Sequence, residues 1–74
     1  MVQVNKVETV GGVTSVEFTP TLPNHEIEVG DIIDYDKYNG GKMKVLSLID
    51  NTLTVNADER DLRFVKPGVF LFKL

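Results

Sequence analysis

The segment from Lys42 to Asn56, KMKVLSLIDNTLTVN, restricts the fold of this chain more than any other stretch. Two runs rich in Val, Leu, Ile and Thr flank Asp50-Asn51, a pair that tolerates the positive φ of a two-residue hairpin turn. With Asp50 and Asn51 at the tip, Ile49 faces Thr52, Leu48 faces Leu53 and Leu46 faces Val55. Side chains alternate faces along a strand, so this register puts Leu46, Leu48, Leu53 and Val55 on one side of the sheet. A slip of one residue scatters them. Turn chemistry and apolar pattern therefore select the same pairing.

A second hairpin is expected from Val2 to Phe18, with Gly11-Gly12 as a two-residue turn that glycines enter without strain. Val10 then faces Val13, Thr9 faces Thr14, Val7 faces Val16 and Lys6 faces Glu17, with Val7, Val16 and Phe18 on the core side. Val2 and Val4 have the opposite parity to Val7, and a bulge near Asn5 returns them to the core. The same parity change occurs at Val45-Leu46. Two strands that each switch face midway suit a coiled small barrel better than a flat sheet.

Elsewhere the pattern is short strands and turns. Pro20 to His25 reads as a loop, because its prolines remove ladder donors. Ile27 and Val29 alternate with outward Glu26 and Glu28, Gly30-Asp31 turns the chain, and Ile32-Ile33-Asp34-Tyr35 follows. Asp36 to Gly41 reads as a second loop. Asn56 and Glu59 have the spacing of a capping box, which predicts at most one short 3₁₀ or α turn near 57–61 before Leu62 and Phe64 alternate. Lys66-Pro67-Gly68 is a tight turn with proline first and glycine second. In the last strand, Phe70, Phe72 and Leu74 are expected in the core, with Val69 and Leu71 on the other side. The chain reads as all-β: one domain over residues 1–74, a small, partly open β-barrel of five to seven short antiparallel strands.

With 74 residues and no Cys, neither disulfides nor thiolate-held metal can support the small core. Oligomerisation or docking on a partner is the remaining support. No stretch reaches the roughly 18–20 apolar residues of a membrane span, and Met1 to Lys6 lacks the pattern of a signal peptide. A reducing cytoplasm is the expected setting. The net charge of −3 disfavours sequence-independent nucleic-acid binding. Residues 1–36 hold one Lys against seven acids, and residues 37–74 hold seven basic residues against four acids. Either these charges meet within the fold, or they make a polar molecule that stacks on copies of itself or on a complementary partner.

Catalytic groups are sparse, and no enzyme and no cofactor is expected. His25, the single histidine, sits in a Pro-rich loop without a nucleophile partner. Asp34-x-Asp36 near Asn39-Gly40 misses the calcium-loop pattern, since Tyr38 stands at a ligand position and no glutamate closes the loop. Tyr35 and Tyr38 among Lys37, Lys42 and Lys44 could stack single-stranded bases, but interleaved aspartates repel phosphate. Tyrosines suit a half-wet protein interface better. Tyr35, Tyr38, Val69, Leu71 and Leu74 are thus the candidate interface residues, with Glu26, Glu28, Asp31, Asp34 and Asp36 as a candidate acidic patch.

The run Glu28-Val29-Gly30-Asp31-Ile32-Ile33, the glycine pair, and Lys44 to Val55 resemble the SH3-like small β-barrels. Across residues 27–56 the cadence is similar to small bacteriophage virion proteins: head–tail connector, tail-completion and capsid-decorating subunits. That resemblance implies a non-enzymatic structural or adaptor subunit in the virion or host cytoplasm, working through copies of itself or other particle subunits. Two other readings stay open: a small-barrel nucleic-acid-binding module, and a small acidic inhibitor of a host protein.

Overall fold

A computed structural model describes residues 1–20, 27–35 and 43–74, with Pro20 and Asp61 described in backbone only. Glycines at the first turn and Asp50 at the second set the two long hairpins. Gly11 and Gly12 take φ of 60° and 80° between β1 (Val2–Val10) and β2 (Val13–Pro20). Asp50 takes φ of 53° between β4 (Met43–Ile49) and β5 (Thr52–Asn56), a conformation that short polar side chains tolerate. β3 (Ile32–Asp34) and β6 (Phe70–Lys73) are short, and a four-residue helical turn, α1 (Glu59–Leu62), follows β5.

These six antiparallel strands close in the order β1-β2-β5-β4-β3-β6, with β6 paired to both β3 and β1. The expected all-β barrel is therefore present, but it is closed where a partly open one was anticipated. The closure has a local cause. Pro67 and Gly68 make a turn in which Val69 N donates to Lys66 O at 3.0 Å, with Gly68 at φ 95°. Gly68 N then donates to Val4 O at 2.7 Å and Val4 N to Val69 O at 2.8 Å. The turn thus delivers β6 onto β1 beside its bulge.

The first hairpin has the predicted register throughout: Val10↔Val13, Thr9↔Thr14, Val7↔Val16 and Lys6↔Glu17, with an irregularity between Val4 and Lys6. The bulge at Asn5 brings Val2 and Val4 inside with Val16 and Phe18, all at most 1% exposed. In the second hairpin, Leu48↔Leu53 and Ile49↔Thr52 hold as expected. Beyond them a bulge between Val45 and Ser47 sets Val45, not Leu46, opposite Val55. Leu53, Val55 and Val45 are buried and Leu48 packs against them, whereas Leu46 is 49% exposed. The expectation that Leu46 closes the core is corrected by that extra residue.

The last strand has the opposite parity to the one anticipated. Leu71 is fully buried, while Phe70 and Leu74 are exposed and Phe72 is half-buried. The pairing Val2↔Leu71 explains it, because Val2 points inward and a directly paired residue shares its face.

Two further assignments change. Val65 is buried and Phe64 exposed, because α1 and the Val65 N–Leu62 O bond at 3.1 Å shift the phase expected from alternating Leu62 and Phe64. The helical turn is capped by Asp58, not Asn56: Asp58 Oδ1 accepts from Arg60 N at 2.9 Å. Asn56 is occupied as the last residue of β5.

Candidate functional site

Near the Gly11-Gly12 tip, β2 pairs with β5 through Thr14 and Val55, and β5 leads through Ala57 and Asp58 into α1. A groove of about 520 Å³ opens between these elements. Val13 and Leu46 supply exposed apolar walls, each 49% exposed, and Leu62 and Ala57 supply half-buried ones. Thr9 and Thr14, whose hydroxyls hydrogen-bond at 2.9 Å, line its strand side. Glu59 and Arg63, one helical turn apart in sequence, give it one acidic and one basic group. Volume and lining fall in the range of sites that receive apolar groups with a few polar anchors.

Arg63 links the groove to an aromatic pair. Its guanidinium carbon lies 6.0 Å from the Phe64 ring centroid, and Phe64 stacks on Tyr35 at 5.4 Å and 26°. Phe64 remains 53% exposed, while Tyr35 is half-buried against the core. Arg, Phe and Tyr are enriched at protein interfaces because they offer large area and polar contacts together.

The sequence-derived candidates do not assemble into one site. Tyr35 belongs to the aromatic pair, and Leu74, one residue beyond β6, is 54% exposed. Val69 is half-buried and its backbone is engaged with Lys66 and Val4. Leu71 is withdrawn from the candidate interface: it lies wholly in the core. Tyr38 and His25 lie outside the described residues.

The acidic patch is also corrected. Asp34 is 2% exposed and presents no open carboxylate. Asp31 is engaged: its Oδ2 accepts from Glu28 N at 2.8 Å and lies 3.4 Å from Lys73 Nζ. Glu28 is exposed, and Glu26 and Asp36 lie outside the described residues. Lys73 with Asp31 is a case of an acid of the first half meeting a base of the second within the fold.

Among the described residues, no three His, Cys, Asp or Glu side chains converge to hold a metal. No buried side-chain nitrogen or oxygen there lacks a hydrogen-bond partner. No helix there is long and apolar enough to cross a membrane.

Sequence reasoning missed the groove, Arg63 and Phe64. The available signal was Asp58 ahead of Glu59-Arg60, a helix start that breaks the strand alternation of Leu62 and Phe64. Fold and groove together define a small closed antiparallel β-barrel with an apolar recess at one end. No protein-family model, curated protein or solved structure matches this chain.

Proposed function

We propose that this chain is a non-enzymatic structural or adaptor subunit of a bacteriophage or prophage particle, acting in the virion or the host cytoplasm through protein–protein contacts. The observation that carries the contact reading is the continuous surface of groove, Arg63, Phe64 and Tyr35. It combines exposed apolar walls with the residue types that anchor interfaces. Exposed apolar groups gathered around a concavity, unlike scattered ones, mark a docking surface. The particle assignment is supported by the SH3-like cadence of residues 27–56 and by a small barrel fold that carries it.

The test is to tag the chain in its host, induce particle production and separate particles on a density gradient. Under this reading the chain co-sediments with intact particles at a fixed copy number. Leu46→Glu removes it from them without unfolding it. Recovery of the chain only outside the particle fraction overturns the assignment.

A further inference from the structure

We infer that two copies of this chain pair antiparallel through the open edge of β1, Val7 against Val7 of the second copy, to form one continuous sheet about a two-fold axis. The inference stands apart from the groove and goes beyond the proposed function.

The open edge follows from the first hairpin. Gly11 and Gly12 form a two-residue turn, so the flanking pair Val10–Val13 exchanges backbone hydrogen bonds and the pairs alternate from there. Val10, Glu8 and Lys6 thus bond to β2, and the N–H and C=O groups of Val7 and Thr9 point the other way. Val4 shows that this edge accepts partners: its O takes Gly68 N and its N gives to Val69 O there. Past the bulge the pairing stops. Among the described residues, β6 is in register with β1 only at Val2 and Gln3, and no strand or turn supplies a backbone partner to Val7 or Thr9. Lys6, Glu8, Thr9 and Val10 are exposed and Val7 is half-buried.

A row of unpaired backbone donors and acceptors is complemented by another extended strand. The side chains choose which one. Lys6 and Glu8 flank Val7 on the outer face, and neither has an opposite charge within ion-pair distance among the described residues. An antiparallel strand that answers them reads base, apolar, acid. That is the order of Lys6-Val7-Glu8 itself.

With Val7 on Val7, Lys6 of each copy faces Glu8 of the other, and the two-fold axis makes the contact twice. The neighbouring registers lose it, because one sets Glu8 on Glu8 and the other Lys6 on Lys6. Backbone pairing at Val7 and side-chain charge therefore select the same alignment. The Asn5 bulge bends β1, which carries Val2 to Val4 and β6 away from the line of the added strand. The contact is short and belongs at the weak end of specific association.

The experiment is sedimentation velocity on the intact chain from about 1 μM to about 1 mM, the span of weak to moderate affinities. The expected result is a monomer–dimer equilibrium that grows no further. Lys6→Glu and Glu8→Lys each turn two cross-copy attractions into repulsions and weaken association at least about tenfold. An equimolar mixture of these two variants restores both attractions and associates more tightly than either alone. The double variant Lys6→Glu with Glu8→Lys recovers the wild-type constant within about threefold. Lys6→Gln and Glu8→Gln are the milder pair if circular dichroism shows a charge reversal unfolded, with association weakened in both. Amide hydrogen exchange on the wild type needs no variant: the Val7 N–H becomes protected as the chain concentration rises.

A chain that stays monomeric to about 1 mM overturns the inference and leaves Lys6 and the bulge as devices that keep sheet edges apart. A dimer indifferent to the charge reversals, or one in which the Val7 amide stays unprotected, overturns it as well.

Discussion

Asp31 and Lys73 join the turn before β3 to the last strand, with Lys73 Nζ 3.4 Å from Asp31 Oδ2. The carboxylate does more than pair with lysine. It also accepts from Glu28 N at 2.8 Å, closing the turn in which Asp31 N donates to Glu28 O at 3.1 Å. That turn is fastened to β4, since Gly30 N donates to Val45 O at 2.8 Å and Val45 N to Asp31 O at 2.9 Å.

The two partners should therefore differ in weight. Asp31→Ala removes a charge-assisted acceptor from a backbone N–H and is expected to cost about 1–2 kcal/mol. Lys73→Ala removes only a half-exposed ion pair and is expected to cost less than about 0.5 kcal/mol. Urea unfolding of both variants measures this. Equal losses would mean that the ion pair, not the turn, is the stabilising feature.

The parity of β6 is open to a direct test. Leu71→Ala creates a cavity in the core and is expected to cost about 2–5 kcal/mol, against a total of roughly 4–11 kcal/mol for a domain of this length. Leu74→Ala alters an exposed position and is expected to stay within about 0.5 kcal/mol. A reversed order in chemical denaturation would restore Leu74 to the core and refute the β6–β1 register.

The bulge in β4 separates two adjacent residues in the same way. Val45→Ser places a hydroxyl in the core and should cost about 2–4 kcal/mol. Leu46→Ser, one position on, should shift the melting temperature by no more than about 4 °C. Comparable losses at the two positions would argue for the uninterrupted register in which Leu46 faces inward.

Acid stability should carry the signature of the Asp58 cap. Its carboxyl is held below the usual value of 3.8, first by the Arg60 backbone N–H and then by the Arg60 side chain. A lowered pKa in the folded chain favours the ionised form. Its contribution is complete above about pH 4 and is lost as pH falls through the lower folded value. Thermal melts of wild type and Asp58→Asn should differ by a constant amount near neutrality and converge in strong acid. The effect is small because the group is exposed to solvent. A difference unchanged at all pH values would remove the charge from this account.

Legibility in the sequence followed the range of the interactions involved. Residues 2–18 were readable because Gly11-Gly12 fixes a turn and each cross-strand partner follows by counting outward from it. The Asn5 bulge was readable too, from Val2 and Val4 falling out of phase with Val7. Leu46 was misplaced although the phase change beside it was visible. Either Val45 or Leu46 could take the inward place, and the bulge that sets Val45 opposite Val55 makes the choice. The groove was not readable at all. It needs Thr14, Leu46 and Arg63 in one place, and they sit on elements separated by most of the chain.

Alternation and turn chemistry act between near neighbours, and so the amino-acid order alone determined an all-β chain, its two hairpins and the register of the first. Val69 to Leu74 has apolar residues on both faces, and such a run contains no alternation from which to choose an inside. Closure against β1 and β3 made that choice: it buried Leu71 and turned Phe70 and Leu74 outward. The physical reason is that burial depends on what lies across the sheet. For a short strand, that neighbour is supplied by distant parts of the chain.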